Sequence, residues 1–164
     1  MLSVKTPSRE EADTTTARRV LIVAEEANRE IAKSAIGQWA LEPVCCSSVQ
    51  EARALLPDPG VILILCEEQL VDGTYGDMLR TLGRAGKNRF VVISETPDAD
   101  DKYEEAMQMG AFEVIASPCR RSDVQWIVIR AIHEQIRRRA GRNQVEPEEG
   151  SLPAPSESKP VGQP

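Results

Sequence analysis

Four acids fall in two adjacent pairs, each just beyond a short apolar run. Glu25 and Glu26 follow Val20-Leu21-Ile22-Val23-Ala24, and Glu67 and Glu68 follow Val61-Ile62-Leu63-Ile64-Leu65-Cys66. Carboxylates gathered in one place can ligate a hard cation or accept a transferred group. Ser94 ends a third apolar run, Phe90-Val91-Val92-Ile93, and Ser117-Pro118 follows a fourth, Phe112-Glu113-Val114-Ile115. The single histidine, His133, has no serine or cysteine beside it in the sequence to make a nucleophile–base pair. Cys45, Cys46, Cys66 and Cys119 show neither CxxC nor zinc-finger spacing, so they read as reduced thiols carried mostly on strands.

The elements that would position these residues alternate. Continuous apolar runs suit strands buried on both faces of a parallel sheet. A helix after the first run places Ile31, Ala32, Ala35, Ile36 and Trp39 on one face, with Asn28 as its expected cap. Pro43–Cys46 reads as a second strand. Ser48-Val49-Gln50-Glu51 has the pattern of a capping box, and Pro57 and Pro59 end the helix it opens. A helix follows the Asp72-Gly73 turn from Tyr75 to Leu82. Another spans Asp100 to Met109 and closes at Gly110. Ser122-Asp123-Val124-Gln125 reads as a second capping box, starting a last helix expected to end near Arg139.

Five strands alternating with five helices imply right-handed crossovers and an α/β fold. The expected form is a flavodoxin-like (βα)5 doubly wound parallel five-stranded sheet, order 2-1-3-4-5. Functional loops in that fold gather at the carboxyl ends of strands 1 and 3, where both acidic pairs stand.

The domain is expected over residues 18–140. Residues 1–17 are polar and aperiodic, and residues 141–164 hold five of the chain's 11 prolines, so both ends are expected to be disordered tails. The net charge of -6 argues against general nucleic-acid binding. No apolar run reaches membrane-spanning length, and the first seven residues lack an apolar leader core, so the expected location is cytoplasmic.

The alternation, the acids at those two strand ends and the Ser117-Pro118 step together resemble the receiver domains of bacterial response regulators, over roughly residues 18–138. The register is set by Glu67, Leu70 three residues on, and Asp72-Gly73. The resemblance puts the phosphoacceptor aspartate on Glu67. It puts the first of two Mg²⁺-binding acids on Ala24 and the second on Glu25, with Glu26 beside it. The switch hydroxyl falls on Ser94, the switch aromatic on Val114 and the phosphoryl-pairing lysine on Ser117; Pro118 is kept, and a cis Ser117–Pro118 bond is implied.

Ala24, Val114 and Ser117 therefore depart from the family pattern, and this chain resembles a degenerate receiver, or pseudo-receiver. An extra methylene moves the carboxylate oxygen by about 1.5 Å. Misplacement on the order of 1 Å costs a transfer reaction ~100-fold in rate. Glu67 is thus expected to be a poor acceptor, specific Mg²⁺ binding is not expected, and no cofactor or enzymatic activity is implied.

Two roles for Glu67 remain open in the sequence. It could mimic a phosphoryl group, taking a hydrogen bond from Ser94. Alternatively, Glu25, Glu26, Glu67 and Glu68 are solvated acids at a loop rim.

The last helix carries two apolar lines. Val124, Ile127, Val128, Ala131 and Ile132 suit the core, while Trp126, Ile129, His133 and Ile136 form a second line and a candidate partner face. In receiver domains this helix and the one before it carry partner and dimer contacts. A protein partner is implied, either a histidine kinase or a downstream effector, with a homodimer through the fourth and fifth helices as a further possibility. The arginines at 137–139 and 142 read as cations complementing the helix C-terminus, against a docking site for an acidic partner.

The leading expectation is a stand-alone, phosphorylation-independent receiver-like adaptor of a two-component or phosphorelay system. The alternative is a working regulator phosphorylated by a histidine kinase at an atypical site such as Asp72. A third reading, a flavin-binding enzyme, lacks a phosphate loop after the first strand, where Glu25 and Glu26 would repel the phosphate.

Overall fold

The computed structural model describes residues 17–83 and 89–144. Their order is β1 (Arg19–Val23), α1 (Glu26–Ile36), β2 (Glu42–Cys46), α2 (Val49–Leu55), β3 (Val61–Glu67), β4 (Gln69–Leu70), β5 (Gly73–Thr74), α3 (Tyr75–Thr81), β6 (Phe90–Ser94), α4 (Asp100–Gln108), β7 (Glu113–Ala116) and α5 (Arg121–Gln144). The main sheet has five parallel strands in the order β2-β1-β3-β6-β7. Omitting the two-residue strands β4 and β5, this is the expected flavodoxin-like order 2-1-3-4-5. Pro43, which has no N–H to give a ladder, lies on the edge strand β2, where its absence is tolerated.

Strand alternation sorts the core into two layers. Val20, Ile22, Leu63, Leu65, Val91 and Ile93 face one side, against Ala32, Ala35 and Ile36 of α1 and Val124, Ile127 and Val128 of α5. Leu21, Val23, Ile64, Cys66, Phe90 and Val92 face the other, against α2, α3 and α4. Ala131 and Ile132 pack at the margin of the first layer, as their helix face predicts. Each fully buried Leu, Ile or Val side chain contributes ~1.5–3 kcal/mol of hydrophobic stabilisation, which makes this sandwich a firm base for the loops above it.

Helix ends differ from the sequence reading in three places. The residue flanking α1 is Glu25, not Asn28; Asn28 lies inside the helix and is buried, because its amide bonds to β3 and to the segment after β7 instead of to its own first turn. α5 begins at Arg121, so Ser122 is inside it; the Arg120 carbonyl accepts the N–H groups of Asp123 and Val124, directly after Cys119 is tied to Asn28. At its other end α5 runs to Gln144, past Arg139. Gly141 alone does not break it, and Arg137 and Arg138 both pair with Glu134 one turn back. The expected tail residues 145–164 and 1–16 lie outside the described residues.

Other ends form as expected. Ser48 Oγ accepts the Glu51 N–H at 3.1 Å at the start of α2, as the capping box predicts, while the returning Glu51 carboxylate accepts the Ser47 N–H at 3.3 Å in place of that of Ser48. Gly110, with φ 101°, closes α4: its N–H and that of Ala111 return to the carbonyls of Met107 and Ala106. Among the described residues, no helix is long and apolar enough to cross a membrane.

Candidate functional site

All five main strands are parallel, so their carboxyl ends share one edge, and a crevice of about 550 Å³ opens there. Glu25, Asn28, Glu67, Glu68, Lys102 and Ser117 are among its lining residues. Glu67 ends β3 and Glu68 directly follows it, and their side chains diverge. Each enters a different network.

Glu67 joins the network on the α1 side. Its Oε1 accepts from Asn28 Nδ2 at 2.6 Å, and the same nitrogen donates to Ser117 Oγ at 3.1 Å. The Cys119 N–H donates to Asn28 Oδ1 at 2.8 Å, which fixes the orientation of the amide. Only 5% exposed, Asn28 thus spends its amide nitrogen and its oxygen on three residues in two separate parts of the chain, the end of β3 and the segment after β7. Burial pushes the Cys119 thiol up from its ordinary range, with the nearby Glu67 charge adding to the effect, so the thiol stays protonated and is no nucleophile. Cys46 is pushed up to about 11 for the same primary reason, burial.

Glu68 joins the network on the β6 side. Its Oε2 accepts from Ser94 Oγ at 2.9 Å, and its Oε1 pairs with the Lys102 ammonium of α4. Ser94 Oγ in turn accepts the Thr96 N–H at 3.1 Å. The Ser94–Glu67 bond that the phosphoryl-mimic role calls for is therefore not formed. Ser94 is the last residue of β6, and the acid that turns toward it is Glu68, while Glu67 turns toward Asn28. A cation also serves this second carboxylate, delivered from α4 and not from the position of Ser117.

The remaining candidate residues are placed as follows. Glu25 is exposed and lines the crevice; Glu26 is exposed in the first turn of α1. Ala24 is wholly buried in the core. Val114 packs half-buried against the second core layer and borders a groove of about 370 Å³ together with Trp126. The Ser117–Pro118 bond is cis. Trp126 is 62% exposed and Ile136 54%, His133 is exposed and Ile129 half-buried. Tyr103 and Met107 are large apolar side chains exposed on α4.

Asp72 sits in the turn between β4 and β5 and reaches the N-terminus of α2. Its two oxygens accept the Val49 N–H at 2.7 Å and the Gln50 N–H at 3.0 Å. Those backbone donors hold its carboxyl below the usual carboxylate range. It functions as a helix cap in trans, and it is not among the residues lining the crevice.

The donor set does not fit a Mg²⁺ ion of the kind receivers use. Ala24 offers no oxygen, one oxygen of Glu67 is taken by an amide nitrogen, and among the described residues no three His, Cys, Asp or Glu side chains converge as a metal-binding group.

Asn28 and Lys102 were not foreseen as site residues. Asn28 carried a signal, a polar residue on the same helix face as the core positions Ala32 and Ala35. Lys102 carried none, being one of several charged residues on an exposed helix.

No family model and no curated protein matches the sequence. Solved structures do match the fold. The receiver domain of the Francisella response regulator 1452 superposes with a TM-score of 0.61 at 13% identity, covering 71% of this chain and 98% of that one. The NtrC4 receiver domain, solved as a beryllofluoride-activated dimer, gives 0.63 at 19% identity over 71% of this chain and 97% of its own. NtrX from Brucella abortus gives 0.64 at 16% identity, over 78% of this chain and 30% of that longer one. The fold of this chain is that of response-regulator receiver domains.

Proposed function

We propose that this protein is a stand-alone receiver-like adaptor of a two-component or phosphorelay system, cytoplasmic, bacterial and non-enzymatic, which works by protein contacts without being phosphorylated. One observation carries the reading. The Asn28 amide joins Glu67 to Ser117, at the two positions where the receiver resemblance requires a phosphoacceptor aspartate and a lysine. A neutral amide holds together what a phosphoryl group and its cation would otherwise occupy. In-line transfer to a carboxylate needs metal and cation to neutralise charge, and neither requirement is met by Ala24, Glu25 or Ser117. Asp72, the alternative acceptor, has both oxygens on backbone amides.

The contact surface is formed by α4, β7 and α5. Trp126 stands 62% exposed beside the groove that Val114 borders, and Tyr103 and Met107 lie exposed on α4. A homodimer through α4 and α5 is one use of this face; the NtrC4 receiver, of the same fold, was solved as a dimer. A histidine kinase or a downstream effector is the other partner it would serve.

The test is incubation with acetyl phosphate and Mg²⁺ followed by intact-mass measurement. The expected result is an unchanged mass. A one-phosphoryl adduct on most molecules would replace this reading with that of a working response regulator.

A further inference from the structure

α4 is held to the sheet by little apolar burial. Among Asp100–Gln108 only Ala106 is buried, against four residues in α1 and four in α3. A helix with so few buried contacts belongs to the low-stability end of a domain, and its position is decided by whatever polar contacts reach it.

Lys102 makes the contact that reaches across. Its ammonium pairs with Glu68, whose side chain is 12% exposed while that of Lys102 is 41% exposed. Glu68 is itself firmly placed. Its N–H donates to the Ile93 carbonyl at 3.0 Å, and its own carbonyl accepts the Tyr75 N–H at 3.3 Å. Its second carboxylate oxygen takes the Ser94 hydroxyl, and Ser94 Oγ takes the Thr96 N–H. The connection from β6 to α4 therefore begins at Ser94 and ends near Lys102, and one carboxylate grips both ends of it.

We propose that Glu68 is an internal clasp that fixes α4 against the sheet and thereby sets the arrangement of the face bearing Tyr103, Met107 and Trp126. The clasp makes the position of α4 a property of this chain's own charge. Any basic side chain entering the crevice would compete with Lys102 for Glu68 and loosen the helix. The consequence for partner binding rests on the reading of that face given above; the clasp itself rests on geometry alone.

Hydrogen–deuterium exchange on the full chain tests it, comparing wild type with Glu68→Ala, Lys102→Met and the double variant. A charge-assisted bond of this kind predicts exchange of the α4 amides about tenfold faster in each single variant. The double variant should be no faster than the faster single one, because both remove the same interaction. Amides of α1 and the central strands should be unchanged. Unaltered α4 exchange in either variant, or effects that multiply as if independent, would overturn the clasp. Should Glu68→Ala accelerate exchange throughout the sheet, the fold has been disturbed, and Lys102→Met alone decides, with the same two outcomes. Phosphorylation is read separately by mass, so a failed clasp and a failed adaptor reading are told apart.

Discussion

Asn28 Nδ2 lies 2.6 Å from Glu67 Oε1, joining the first turn of α1 to the end of β3. The same amide holds Ser117 and the Cys119 N–H, so a single buried side chain ties three strand-end segments together. Buried amides are stabilising only when satisfied, and here every donor is used.

Asn28→Ala leaves the Cys119 N–H and one Glu67 oxygen without their partner in a largely buried place. The expected cost is about 2–3 kcal/mol. Urea unfolding should show a lower midpoint with an unchanged slope. A loss below the error of the measurement would mean that water replaces the amide without cost.

Asp72 gives a pH-dependent contribution. Its folded-state pKa is held below the unfolded value by the Val49 and Gln50 N–H groups. A depressed carboxyl stabilises the fold above its unfolded pKa, and that stability is lost as pH falls through the folded pKa. Asp72→Asn should therefore lower the thermal midpoint at pH 7, and the two proteins should converge as pH falls below about 4, the ordinary aspartate range. A gap between the two melting curves that persists in acid would show that the carboxylate charge is not the source.

The receiver register has its own test. Glu67→Asp, Ala24→Asp and Ser117→Lys together restore the acids and the lysine at the positions that the resemblance assigns to them. Asn28 already shows that positions 67 and 117 meet within one amide's reach. The triple variant should gain a one-phosphoryl mass shift with acetyl phosphate, dependent on Mg²⁺. A folded triple variant that gains nothing would count against the register.

Trp126→Ala tests the contact face. At 62% exposure the ring contributes little to folding, so stability should change by less than about 0.5 kcal/mol. Affinity for the partner, or self-association measured by sedimentation, should fall by tenfold or more, as for a central aromatic at an interface. An unaltered sedimentation profile and an unaltered set of bound proteins would place the contact elsewhere.

The sequence determined the sheet, its strand order and the side of α5 that is buried. Val20–Val23, Val61–Cys66 and Phe90–Ile93 are continuous apolar runs, and such runs have no stable place except between two helical layers. It also placed Glu67 and Ser94 at one edge of the sheet, since parallel strands leave all their carboxyl ends together.

What each acid touches was decided by tertiary structure alone. The sequence puts Glu67 and Glu68 together at one strand end, and it says nothing of what either side chain meets. Asn28 reaches Glu67 because α1 starts at the end of β1, beside the end of β3, and Lys102 reaches Glu68 because α4 begins close to the end of β6. Such pairings join residues 39 and 34 positions apart in the chain, and their specificity comes from backbone placement, which no local spacing encodes. The same cause moved Asn28 from cap to bridge: a short amide bonds whatever donor or acceptor folding brings nearest, and the nearest ones came from other strands.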